Sequence, residues 1–282
     1  KHSSQKIKQI NVMSIDAGFL ESLNQPLKKI VQDAANAIMD VYRKDEFESE
    51  IKSDGSPVTE ADNNANKIIV SALKEITPNI PIVSEETYKK ELDIPNIPYW
   101  LVDPLDGTRE FLNKSKDFTV NIALIEKTKA IFGIICAPSS SQIWLGSKFH
   151  IYSIEETIPD SLRIVMSKSH QTDKDKMFLD YLNGLNVSYE IIEKGSSLKL
   201  CALADNKADI YPRFGPTSEW DIAAGHAILH AYGGSISQMA NTEDLRYSKE
   251  ESILNPAFVA FRNKTIKDKY FSILSEFYKK LV

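Results

Sequence analysis

Carboxylates placed where the chain must bend are the feature of this sequence with the clearest chemical meaning. The segment Trp100-Leu101-Val102-Asp103-Pro104-Leu105-Asp106-Gly107-Thr108 runs a hydrophobic strand into two acids. Residues three apart on a regular strand point to opposite faces, so Asp103 and Asp106 could not meet on one. Pro104 and Gly107 predict a turn instead, with Gly107 free to take positive φ. Such a turn aims both carboxylates and the Leu105 carbonyl into one small volume. Hard oxygen ligands that converge in this way suit Mg²⁺. If a helical turn follows Gly107, its free N–H groups could also hold a phosphate. Asp, Pro and Gly are ordinary turn residues as well, so the segment alone fits a solvated acidic turn equally well.

Three further places carry acids. Ile82-Val83-Ser84-Glu85-Glu86 ends a second strand in paired carboxylates, which an exposed strand end would also explain. Ser218-Glu219-Trp220-Asp221 opens an Ala-rich helix, and Ser218 and Asp221 have the spacing of a capping box. The helix dipole would keep a carboxylate there ionised, so cap and metal ligand are compatible roles. Thr59 and Asp62 repeat the same spacing at the start of another helix.

The elements that must position these acids are legible in outline. Leu27, Ile30, Val31, Ala34, Ile38 and Val41 share one face of a helix, and Ala65, Ile68, Ile69, Ala72, Leu73 and Ile76 share that of a second. Strand-like runs follow at 80–84, 99–102, 119–125, 130–136 and 142–146, with 126–129 closing a hairpin. Beyond residue 160 strands alternate with helices: 163–166 then 174–182, 187–192 then 196–206, 208–211 then 220–232, and 257–262 then a last amphipathic helix. That rhythm predicts an α/β half. Residues 1–25 are polar and show little pattern. The division expected is an N-terminal extension over 1–25, an α+β subdomain over 26–155 with most of the acids, and an α/β subdomain over 156–282 with Asp221.

Composition narrows the function. The 282-residue chain is 42% hydrophobic and 26% charged, with a formal net charge of −5 and no basic block. A nucleic-acid polymer needs a basic stripe, so it is not the expected partner. Cys136 and Cys201 stand in apolar surroundings and read as buried thiols rather than a disulfide or zinc site. No apolar run reaches the roughly 20 residues of a membrane span, and no signal-peptide pattern is visible; a cytoplasmic protein is expected.

Asp54-Gly-Ser-Pro-Val-Thr-Glu-Ala-Asp62, Ser84-Glu85-Glu86, Asp103-Pro-Leu-Asp-Gly-Thr108 and Trp220-Asp-Ile-Ala-Ala-Gly225 occur in that order. Together they resemble the inositol monophosphatase superfamily of lithium-sensitive, Mg²⁺-dependent phosphatases, over roughly residues 26–262. Arg109-Glu110-Phe111, Phe118-Thr-Val-Asn-Ile-Ala-Leu124 and Leu254-Asn255-Pro256 are most similar to its 3′(2′),5′-bisphosphate nucleotidases of the bacterial CysQ type. The resemblance implies an α/β fold, a layered αβαβα sandwich. It implies that Glu85, Asp103, the Leu105 carbonyl, Asp106 and Asp221 hold two or three Mg²⁺ ions, with Glu86 behind them on a metal-bound water. Asp62 and Thr108 match the pair that activates water. The substrate side would comprise Glu85, Leu105, Asp106, Gly107, Thr108, His170, Gly195, Ser197, Lys199, Arg213 and Asp221. Gly195 to Ser197 could present N–H groups at a helix start, with Lys199 one turn on.

The activity so implied is hydrolysis of the 3′-phosphate of 3′-phosphoadenosine 5′-phosphate to AMP and phosphate, in sulfur metabolism, with the 5′-phosphosulfate form as a second substrate. The partner is then a small nucleotide bisphosphate, and the resemblance is compatible with a homodimer. Two other readings use the same residues: hydrolysis of inositol monophosphate or another sugar phosphate, and a non-catalytic metal- or nucleotide-binding regulator.

Overall fold

The computed structural model describes residues 15–44, 46, 48–52, 57–89, 94–152, 156–167, 172–249 and 251–281. His170 and residues 54–56 of the first motif lie outside them.

Five layers follow one another. The first holds helices α1 (Ala17–Ser22), α2 (Asn24–Tyr42) and α3 (Glu60–Ile76). The small hairpin of β1 (Ser49–Ile51) and β2 (Pro57–Thr59) stands between α2 and α3 in the chain. A five-stranded sheet comes next, built from β3 (Ile82–Ser84), β4 (Tyr99–Asp106), β5 (Thr119–Glu126), β6 (Lys129–Ala137) and β7 (Gln142–Ser147), with the short helix α4 (Thr108–Leu112) after β4. Its strands run in sequence order, β3 parallel to β4 and the rest antiparallel.

The second sheet has the order β11-β12-β10-β8-β9. It consists of β8 (Leu162–Met166), β9 (Tyr189–Glu193), β10 (Ile210–Arg213), β11 (Ser235–Gln238) and β12 (Phe258–Phe261). Helices α6 (Leu198–Ala204) and α7 (Glu219–Ala231) lie between the sheets, and α5 (Asp173–Gly184) and α8 (Lys264–Leu281) cover the outer face.

Strand alternation explains the layering. In β4, Trp100 and Val102 join the core under α1 to α3, whereas Tyr99 and Leu101 join the core around α6 and α7. In β8, Leu162, Ile164 and Met166 face α5 and α8, and Val165 faces inward. A sheet covered on both faces needs apolar residues at every position, hence near-continuous hydrophobic runs in the sequence. Close approach sets where α7 lies: a Cβ on Gly133 of β6 would come within 2.2 Å of the Ala224 carbonyl. Only glycine lets the helix backbone sit that near the strand. That contact carries Asp221, in the first turn of α7, toward the end of the first sheet.

The layered α/β sandwich is the fold expected. The paired strands at 126–129 are also as expected, with Glu126 opposite Lys129 and Lys127 at φ 57°. Cys136 and Cys201 are buried and unbridged. No described helix is long and apolar enough to cross a membrane.

Three expectations need correction. Residues 17–22 form a helix, capped by the Asp16 side chain on the Phe19 N–H at 2.8 Å, and Leu20 is buried in the first core. Six residues are too few to show periodicity. Strands β1, β2 and β11 were not expected either, because three or four residues carry no alternation to read. Finally, β4 does not turn at Pro104 but continues to Asp106.

Candidate active site

The correction in β4 explains how two acids three residues apart can meet. Against β5, Asp103 pairs with Asn121 and Asp106 with Thr119. Three steps along β4 thus face two along β5, the signature of a β-bulge. Pro104 donates no hydrogen bond and makes the irregularity tolerable. The extra residue restores a two-step relation, so both carboxylates return to the same face. Gly107, at φ 93°, then ends the strand and starts α4. A Cβ there would be strained at that φ and 3.0 Å from the Asp117 carbonyl.

Helix α7 brings the third acid. One carboxylate oxygen from each of Asp103, Asp106 and Asp221 lies within 4.8 Å of the others. Asp221 accepts the Ser218 N–H at 2.8 Å, which completes the capping box. Asp62 does the same in α3: its Oδ2 accepts the Thr59 N–H at 2.8 Å and the Thr59 hydroxyl at 2.6 Å. Its other oxygen lies 3.1 Å from the Thr108 hydroxyl, which is also 3.3 Å from the Leu105 carbonyl. The single proton of Thr108 serves one of these at a time and leaves the oxygen's lone pairs to accept from a third group.

Glu85 follows β3, its N–H held by the Val102 carbonyl at 3.0 Å. Its carboxyl group is within hydrogen-bond reach of Asp103. Lys52, from the end of β1, donates to both Glu85 and Glu86 at 2.8 Å.

These acids resist ionisation. Burial pushes Asp103 and Asp221 well above the usual carboxylate range, and the neighbouring carboxylates push them further. Burial also raises Asp106, against the pull of Lys199 and Ser197. It raises Glu85 despite Lys52, Asp62 despite its Thr59 bonds, and Glu86 to about 7. Lys52 is held above the ordinary lysine range, Glu85 and Glu86 outweighing the opposite effect of its burial. The three convergent carboxylates of Asp103, Asp106 and Asp221, with Glu85 nearby, are a donor set that fits a divalent metal.

A cavity of about 390 Å³ opens beside this cluster. Glu85, Asp106, Gly107, Thr108, Ser197, Lys199, Arg213 and Asp221 are among the residues that line it. Lys199 is 7% exposed. Burial lowers it to about 8, although Asp106 pulls the other way. Arg213 donates to the Pro216 carbonyl at 3.2 Å, and its buried Nε has no partner among the described residues.

Gly195 departs from expectation. It is buried, and its N–H is engaged by the Asp117 carboxylate at 2.9 Å, so it does not offer that donor to a ligand. The helix starts only at Leu198, after Ser196 at φ 45°, not at Ser196.

Lys52, Asp117 and Asn121 were not anticipated as site residues. Lys52 and Asp117 reach their partners across 33 and 78 residues, which no spacing rule encodes. Asn121 did leave a signal: it is the polar residue inside the apolar run Val120 to Ile125, and it is 1% exposed.

Comparison with known proteins gives one consistent result. A model of the inositol monophosphatase family matches residues 20–276. The 3′(2′),5′-bisphosphate nucleotidase CysQ of Salmonella typhimurium is 39% identical over 240 residues, covering 82% of this chain and 96% of that protein. The protein of the same name from Escherichia coli K12 is 37% identical over 246 residues, with coverages of 82% and 96%. The crystal structure of CysQ from Bacteroides thetaiotaomicron, described as a bacterial member of the inositol monophosphatase family, superposes with a TM-score of 0.75. It is 32% identical and covers 87% of this chain and 99% of its own.

Proposed function

The chain belongs to the inositol monophosphatase family, and we propose that it removes the 3′-phosphate of 3′-phosphoadenosine 5′-phosphate, releasing AMP and phosphate. The observation that carries this reading is the lining of one cavity, which holds the carboxylates Glu85, Asp106 and Asp221 together with the cations Lys199 and Arg213. A substrate with two phosphates uses both kinds of group, the acids with their metal for the phosphate that leaves and the cations for the one that stays. The 5′-phosphosulfate form fits the same demand.

Glu85, Asp103, the Leu105 carbonyl, Asp106 and Asp221 would hold Mg²⁺, two or three ions in all. Bound Mg²⁺ supplies the positive charge that lets a phosphate approach these carboxylates, and it lowers the pKa of water. The protein's own part is to hold and deprotonate that water. Thr108 donates to Asp62 Oδ1 and can accept a hydrogen bond from a water on its free lone pair, so that as the water's proton passes to the Thr108 oxygen the Thr108 proton passes to Asp62. Asp62, raised by burial, is a better base than an exposed aspartate. Lys199 and Arg213, which line the same cavity, keep the second phosphate in register.

The test is kcat/KM with Mg²⁺ for 3′-phosphoadenosine 5′-phosphate and inositol 1-phosphate, side by side. A nucleotide preference of about 100-fold, roughly 2.7 kcal/mol, is expected. Equal rates would turn the substrate assignment to a sugar phosphate. No phosphate release from either would leave a binding protein.

A further inference from the structure

Ser197 has too many protein partners for a substrate contact. It is 3% exposed. Its hydroxyl oxygen is 2.8 Å from Asp106 Oδ2, at the end of β4, and 2.7 Å from the main-chain carbonyl of Asp221, in the first turn of α7. Asn121 of β5 donates to it at 2.8 Å and also lies 3.4 Å from Asp106 Oδ2. A hydroxyl donates once and accepts at most twice. With two acceptors inside the protein sharing its only proton, Ser197 has no donor left for a phosphate, whose oxygens only accept.

The partners come from three elements that the chain does not join directly. Asn121 is paired with Asp103 across β4 and β5, so the same amide sits beside one candidate ligand along the strand and bonds toward another. Ser197 meanwhile stands at the N-cap of α6, which carries Lys199, and Gly195 just before it is tied to Asp117, two residues ahead of β5. Ser197 and Lys199 both line the cavity together with Asp106 and Asp221.

We infer that Ser197, supported by Asn121, is a positioning residue for the metal centre: it fixes Asp106 and the start of α7 relative to each other rather than binding the nucleotide. The inference rests on the metal-centre reading but not on the identity of the substrate. An outer-sphere hydrogen bond of this kind sets the orientation of a ligating carboxylate, and its loss typically weakens metal binding by about 10- to 100-fold.

The experiment is a titration of the whole protein with Mn²⁺, without substrate, followed by electron paramagnetic resonance of the free ion. For Ser197→Ala the Mn²⁺ dissociation constant of the folded protein should rise about tenfold or more. Adding Asn121→Ser should give less than the sum of the single losses, because the two act as one unit. In turnover, the Mg²⁺ concentration for half-maximal rate should rise, and the substrate KM at saturating Mg²⁺ should not. Unchanged Mn²⁺ binding with a raised substrate KM would overturn the inference and return Ser197 to the substrate. If Ser197→Ala does not fold, Asn121→Ser alone carries the same test. A wild-type protein that bound no Mn²⁺ would overturn the metal centre and the inference together. A wrong choice of nucleotide would show only in kcat/KM, and would leave the Mn²⁺ result standing.

Discussion

Asp209 and Asp103 are both almost completely removed from water, at 0% and 1% exposure, yet their surroundings drive them in opposite directions. Asp209 accepts two bonds from the Arg163 guanidinium at 2.8 and 2.9 Å, the Arg163 N–H at 2.8 Å and Arg262 Nε at 2.9 Å. Burial works against its charge, but those bonds hold the carboxyl below the usual range. Asp103 has Glu85, Asp106 and Asp221 for neighbours, and burial and repulsion raise it together. The first arrangement is complete as it stands. The second has no such set of cations among the described residues and could be completed by one from outside, and this difference tells a structural ion cluster from a candidate binding site better than the number of acids does.

Asp106→Asn tests the second arrangement most severely. It should lower turnover by on the order of 10³-fold, measured as phosphate release at saturating Mg²⁺. The metal-free melting temperature should stay equal or rise, because one repelling carboxylate is gone. Asp209→Asn should do the reverse. Leaving the buried Arg262 short of its partner should cost about 3–5 kcal/mol in a urea titration, while the folded fraction keeps its kcat.

The pH dependence sharpens the contrast. Asp62, Glu85, Glu86, Asp103, Asp106 and Asp221 have folded-state pKa values above their unfolded ones. The native metal-free state thus binds more protons than the unfolded one. The resulting stability is fully present below the ordinary carboxylate range and is lost as pH rises through the folded values, which for Glu86 is about 7. Asp209 is shifted down, so its contribution holds above that range and is lost only in acid. In EDTA the protein should melt higher at pH 5 than at pH 8, and Mg²⁺ should raise the melting temperature far more at pH 8. Equal Mg²⁺ shifts at the two pH values would count against the cluster as the metal site.

The smallest effect concerns Lys52, the cation that the fold itself lends to Glu85 and Glu86. Lys52→Met should destabilise the metal-free protein by about 1 kcal/mol. Because added metal then restores more missing charge, the thermal shift with Mg²⁺ should be larger than in the wild type. An identical shift would show that Lys52 makes no difference to the cluster.

Sequence reasoning reached the acids because each sits beside a local signal. Asp103 and Asp106 follow an apolar strand, Glu85 ends another, and Asp62 and Asp221 stand at capping-box spacing. The elements of the fold were legible for a similar reason, since buried strands and helices of ordinary length carry their period with them; their stacking into five layers was implied by the family resemblance. What escaped was of two kinds. The bulge in β4 depends on pairing with β5, and a strand's own residues say little about its partner's register. Lys52 and Asp117 act through contacts between distant segments, where only the folded chain shows which groups meet. The cations of the cavity are less legible than its acids because single cations such as Lys199 and Arg213 look the same in a sequence whether they are solvated or buried.

The two capping boxes have a consequence for how fast and how selectively the site fills. Asp62 and Asp221 each commit one oxygen to the first turn of a helix, and the second oxygen of Asp62 meets the Thr108 hydroxyl. A side chain tethered in this way has given up its rotamer freedom when the helix forms, not when the ligand arrives. Of the two, Asp221 belongs to the acid cluster with Asp103 and Asp106. If that cluster holds a cation, the Asp221 carboxylate would already be fixed by the hydrogen bond that begins α7, and it would favour the small Mg²⁺ over Ca²⁺, which needs ligands free to move outward.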